Sequence, residues 1–230
     1  DLAWLVRRVE VGARLVTFAA KGGHNDEPHN HNDLGSFTLG IDGEDVLVDL
    51  GAGPYTRAYF GEERYAHLHA SSLGHSVPVV AGEAQRGGVD ARARVLDVRV
   101  SPDAAALTLD LTSAYPAATS VIRSFSWQDE AARASLHLRD EATFDPAGIL
   151  ESALVSLIRP EAREGEVEWV GAAGTVLARF DPHLVRPKVE ATAARTHGGA
   201  PITVYRARFV TLDPSPRAAI DLRVTVTPHG

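Results

Sequence analysis

Apolar and polar residues alternate with a period of two along most of the chain, the spacing of strands with one face buried. The clearest runs are 14–18, 45–49, 77–80, 95–100, 106–111, 121–127, 134–138, 167–170, 175–180, 203–207 and 220–226. Ser101-Pro102-Asp103 separates two of these runs and Gln128-Asp129-Glu130 separates two more, each a hairpin signal. So many short strands, divided by turn residues, predict an all-β fold: a large antiparallel β-sandwich of layered sheets with little helix.

Helical periodicity is weak. The stretch 56–72 reads as a long loop, with a helical turn around Glu62-Glu63-Arg64-Tyr65-Ala66. Long loops on a sandwich often carry function. The opening, Leu2 to Arg8, suits a helix end or a strand, and no repeat appears beyond the hairpin rhythm.

Composition narrows the function. The chain has 230 residues, 44% hydrophobic and 23% charged, enough for a sizeable core in one large domain. Its formal net charge of -7 argues against nucleic acid as a partner, without excluding a polyanionic substrate. The absence of Cys excludes disulfides and zinc–thiolate sites. The absence of Met and the apolar start suggest a piece of a longer protein. No apolar run is long enough for a membrane-spanning helix, and no signal peptide is visible.

The candidate chemistry lies in His29-Asn30-His31-Asn32-Asp33. Residues at i and i+2 of an extended chain share a face, so His29 and His31 are expected to look into one small volume. Six of the ten histidines fall between His24 and His75, far more than an even scatter would put there. His31, Asp49 and His75 each stand at the expected edge of a strand and form a plausible zinc set with an open position. The alternative for Asp49 is a turn residue bonding backbone amides. His67 and His69 read as a surface pair, His24 as a solvated or supporting residue, and Asp33 as the residue fixing the turn before Leu34-Gly35.

Three linked blocks carry a family resemblance. They are His29-Asn30-His31-Asn32-Asp33-Leu34-Gly35-Ser36-Phe37, then Val46-Leu47-Val48-Asp49-Leu50-Gly51-Ala52-Gly53-Pro54-Tyr55, then Ser71-Ser72-Leu73-Gly74-His75-Ser76-Val77. In order and separation they resemble the C-terminal β-sandwich domain of the heparinase II/III-like polysaccharide lyases, over roughly residues 10 to 90. The resemblance implies zinc as cofactor, with His31, Asp49 and His75 as ligands. It implies His29 as an active-site histidine and Tyr65 as a tyrosine near substrate.

The implied reaction is β-elimination at a uronic acid of a heparin-, heparan- or alginate-like polysaccharide or oligosaccharide. Asn30, Arg57 and Arg64 are the candidates for holding substrate, a guanidinium being suited to carboxylate or sulfate. Family members also have an N-terminal α/α toroid, absent here. Residues 1–10 are then expected to be the linker or tail of that domain and 11–230 the sandwich, inactive alone and holding half a site. A secreted or periplasmic location is implied, and a homodimer is compatible with everything above.

Two other readings compete. One is a non-catalytic carbohydrate-binding or scaffolding sandwich with structural zinc. The other is a cupin-like metal enzyme, disfavoured because no Glu follows the histidine pair before Glu44.

Overall fold

The computed structural model describes residues 3–61 and 63–230. In chain order its strands are β1 (Trp4–Val11), β2 (Arg14–Lys21), β3 (Gly23–Asn25), β4 (Phe37–Ile41), β5 (Glu44–Leu47) and β6 (Val79–Val80). There follow β7 (Gly88–Val100), β8 (Ala104–Asp110), β9 (Ser120–Glu130), β10 (Arg133–Gly148) and β11 (Leu150–Ser156). The last are β12 (Glu161–Arg163), β13 (Glu166–Val170), β14 (Gly174–Arg179), β15 (Val185–Arg195), β16 (Pro201–Thr211) and β17 (Ser215–Pro228). Helix among the described residues is confined to single 3-10 turns such as Ala58–Phe60, Arg64–Ala66 and Ser72–Gly74.

The strands form three antiparallel sheets. Nine strands run in the order β12-β13-β14-β17-β10-β9-β8-β7-β3. Two four-stranded sheets, β1-β2-β4-β5 and β15-β16-β11-β6, supply the opposing layer. Phe18 of β2 stacks on Trp127 of β9 at 5.2 Å and meets Phe125 at 5.8 Å. Phe209 of β16 packs against Phe180, just beyond β14, at 5.4 Å. Each such apolar side chain contributes roughly 1.5–3 kcal/mol when fully buried. The two smaller sheets meet where the Val48 amide donates to the Val155 carbonyl at 2.9 Å.

The period-two pattern finds its cause in this layering. In β9, Val121, Arg123, Phe125 and Trp127 are buried, while the residues between them are half-buried or exposed. β11 escapes the pattern because all seven of its residues are buried, so nothing alternates. β15 escapes it because it is an edge strand, exposed over most of its length.

Two ambiguous segments resolve. The opening takes the strand form from Trp4, paired with β2 from Trp4↔Lys21 to Val11↔Arg14; Leu2 lies outside the described residues. The expected turn around 62–66 is the single 3-10 turn Arg64–Ala66, and Glu62 lies outside the described residues.

Candidate metal and substrate site

His31, Asp49 and His75 come from three separate loops and converge. One potential ligand atom from each lies within 4.8 Å of the others. Asp49 stands two residues past a strand end, as expected, while His31 and His75 lie farther from β4 and β6 than a strand edge. His31 precedes β4 by several residues, Asp49 follows β5, and His75 ends the turn Ser72–Gly74.

The electronic arrangement suits a cation. His75 is wholly buried, and its Nε2 donates to the His69 carbonyl at 2.8 Å. Its Nδ1 faces Asp49 Oδ2 at 3.2 Å, yet makes no hydrogen bond of good geometry. Nδ1 therefore holds either a proton shared with the carboxylate or a lone pair directed at whatever lies between them. Burial pulls the proton affinity of His75 down, but the adjacent Asp49 carboxylate outweighs it and the direction is upward. A metal ion would replace that proton on a nitrogen made basic by its carboxylate neighbour.

Desolvation by the surrounding loops opposes the charge on Asp49. The His75 interaction and a 2.8 Å hydrogen bond from the Gly51 amide still hold it well below the usual carboxylate range. This carboxylate stays 36% exposed, which leaves a path for an ion to enter. Burial, and after it the neighbouring His75, push His31 down to about 4, so near neutrality its imidazole is uncharged and fit to ligate. The buried, unpartnered Nδ1 of His75, the neutral imidazole of His31 and the ionised Asp49 carboxylate are donors that fit zinc.

The family model described as heparinase II/III-like, C-terminal, matches residues 13–143. The chain belongs to this family. No curated protein matches it in sequence. Among solved structures, the heparan sulfate lyase HepC from Pedobacter heparinus superposes with a TM-score of 0.78 at 15% identity, over 100% of this chain and 35% of that one. A heparinase III gene product gives 0.75 at 12% over 100% and 35%, and another heparinase III structure 0.74 at 11% over 99% and 36%. At these identities the likeness is one of fold. The chain spans about a third of the length of these solved structures.

Within this heparinase II/III-like domain, His29 departs from expectation. The shared-face argument needs an extended backbone, and His29 has a φ of +59°, in the left-handed region. Its exposed ring lies against Tyr55 at 6.3 Å and edge-on to Phe60 at 5.8 Å, while His31 packs beside His75 at 5.1 Å. The two histidines are thus parted by the turn between them, one outward among aromatics and one inward in the triad.

The remaining candidates form a cradle under that turn. Tyr65 Oη donates to Asn30 Oδ1 at 3.2 Å. Arg64 Nε donates to the Asn30 carbonyl at 3.2 Å and its Nη1 to the Tyr59 carbonyl at 3.2 Å. The Arg64 guanidinium also lies 5.0 Å over the Tyr59 ring, so it holds the loop through Asn30 and Tyr59 together. Arg57 is exposed, at the start of the turn Ala58–Phe60.

Asp33 takes a structural role: its carboxylate accepts from Lys21 Nζ at 2.8 Å and its carbonyl from the Ser36 amide. His24 is half-buried in β3. The surface pair expected of His67 and His69 is corrected: His69 is buried and supplies the carbonyl that orients His75, and His67 is half-buried against Tyr59.

Several supports were not singled out from sequence. The Tyr59 hydroxyl reaches His31 Nε2 at 3.0 Å. Gln85 binds both the amide and the carbonyl of Leu34 and accepts from Asn25, while Ser72 Oγ donates to the Asn32 carbonyl at 2.7 Å. Arg123 is fully buried and paired with Asp140 through two bonds of 2.6 and 2.7 Å. Its Nη1 donates to the carbonyls of Gly35 and Ser76 at 2.8 and 2.6 Å. One side chain thereby ties the His31 loop and the His75 loop to the large sheet. The pattern held a signal for it, since a charged residue in register with Val121, Phe125 and Trp127 must be buried and needs a partner.

Proposed function

We propose that this chain is the C-terminal part of a polysaccharide lyase that cleaves uronate-containing polysaccharide, heparin/heparan-like or alginate-like, by β-elimination. The observation that carries the reading is the convergence of His31, Asp49 and His75 directly beneath the loop presenting His29. Family membership and the fold shared with heparan sulfate lyase HepC support it. Zinc is the cofactor this donor set suits. When bound, it would link the three loops and add its binding free energy to folding.

The chain's own residues would act on the sugar. His29 points outward, where an imidazole can accept the C5 proton or donate to the uronate or the leaving glycosidic oxygen; a positioned acid or base is worth roughly 10²–10⁴-fold. Tyr65 and Asn30 form a hydrogen-bonded pair beside it. Arg57 is exposed and would meet carboxylate or sulfate. Arg64, already bonded to Asn30 and Tyr59, would act chiefly by holding Asn30 in place. The partner acid or base would come from an N-terminal α/α toroid joined ahead of β1, and the protein would work outside the cytoplasm.

The test is to incubate the full-length protein with heparan, alginate, hyaluronan and ulvan and follow the absorbance of unsaturated uronate. A new signal with one polymer supports the lyase and names its substrate. Binding without product on all four would favour a non-catalytic carbohydrate-binding module instead.

A further inference from the structure

The outer face of the sheet β15-β16-β11-β6 carries a second concentration of chemistry, away from the triad. The inner face of β16 sends Ala207 and Phe209 into the core, so Arg206, Arg208 and Val210 lie on the outer face. Cross-strand pairing places Lys188 beside Arg208 and Arg186 beside Val210. Glu151 of β11 forms an ion pair with Arg206 at 2.6 Å and also pairs with Arg208. Glu190 pairs with Arg208 and with Lys188. Four cations thus meet two carboxylates, a local excess of positive charge in a chain of net charge -7.

Two observations point beyond a self-satisfied ion network. A cavity of about 330 Å³ opens here, lined by Arg186, Lys188, Arg208 and Val210 among others, with no acidic residue in its lining. Arg186 makes no ion pair among the described residues, and the buried Nε of Arg208 has no hydrogen-bond partner. The exposed, unpaired guanidinium of Arg186, with the Lys188 ammonium beside it on the hollow, suits an anion with planar or tetrahedral oxygens.

The hairpin β15–β16 relates this cavity to the triad. At its turn, His197 Nδ1 lies 2.9 Å from the Gly53 carbonyl, in the loop that follows Asp49. Arg186 and Lys188 precede His197 by eleven and nine residues, which at about 3.3 Å per residue puts the cavity at most about 30–36 Å away along the hairpin.

We propose that the cavity between β15 and β16 is a second anion-binding site that holds the carboxylate or sulfate group of a polyanionic saccharide at a distance from the triad. The choice of a saccharide rests on the lyase reading above, but binding here needs neither the metal nor turnover, so its failure is distinguishable from failure of that reading.

The test is titration of this chain, at low salt, with a sulfated heparin oligosaccharide and with an unsulfated oligouronate. A double variant Arg186→Gln/Lys188→Gln should bind about tenfold more weakly, as expected for losing one charge-assisted hydrogen bond. Arg186→Glu, at an exposed edge position that folding does not need, should do at least as much. Binding of both oligosaccharides marks carboxylate as sufficient, and binding of the sulfated one alone marks sulfate. No binding by the unaltered chain, or undiminished binding by both Arg186 variants, would overturn the proposal.

Discussion

At the scale of single residues, the site depends on contacts that leave no room for change. Gly74 precedes His75 of the triad, and a Cβ there would lie 2.2 Å from the Leu68 carbonyl oxygen. Gly74→Ala must therefore move the backbone that aims His75. The expected cost is about 1–3 kcal/mol of stability, with reduced metal content, checked by urea unfolding and metal analysis of the same sample. His29 is the opposite case. A histidine held in the left-handed region carries strain that glycine would not. His29→Gly should leave stability unchanged or slightly raised, while in the full-length protein it should lower lyase turnover by roughly 10²-fold or more. Equal turnover would remove His29 from the reaction. His31→Ala should lower metal content and melting temperature together; a variant that melts unchanged and keeps its metal would exclude a structural metal at the triad.

At the scale of elements, the loops owe their positions to strands they never join. Arg123 of β9 and Asp140 of β10 face each other in register, and the guanidinium also holds the carbonyls of Gly35 and Ser76. Removing one partner of a buried pair costs about 3–5 kcal/mol. Arg123→Met should show that loss in chemical denaturation and should also weaken metal retention, because both ligand loops lose an anchor. A loss of stability with metal affinity unchanged would mean that the loops are held by other contacts. The elements most legible in sequence were those with one wet face, such as β8, β9 and β17. β11 was hidden because both of its faces are buried, and β15 because neither face shows a clean core side.

At the scale of the whole molecule, two small sheets over one large sheet bring loops from distant parts of the chain to a common end. His197 reaches Gly53 across 144 positions of sequence. If a metal links those loops, a chelator should lower the melting temperature of the isolated chain, and added zinc should restore it. With ligand well above its dissociation constant the effect is about 2.7 kcal/mol per hundredfold excess. No change on chelation would separate the fold from the metal.

What the sequence by itself determined was the class of fold, and it named His31, Asp49 and His75, which the structure brings within 4.8 Å of one another. Alternation reports burial directly, and His, Asp and His at their spacing in three linked blocks carry the family's pattern. What only the tertiary structure decided was how the histidine pair divides. Spacing alone predicted a shared face, but that rule holds only for extended backbone. At His29 the chain turns left-handed, so one imidazole is exposed among aromatics and the other enters the triad. The supporting contacts of Arg123, Gln85 and the His69 carbonyl were decided there too, since they join residues that only packing brings together.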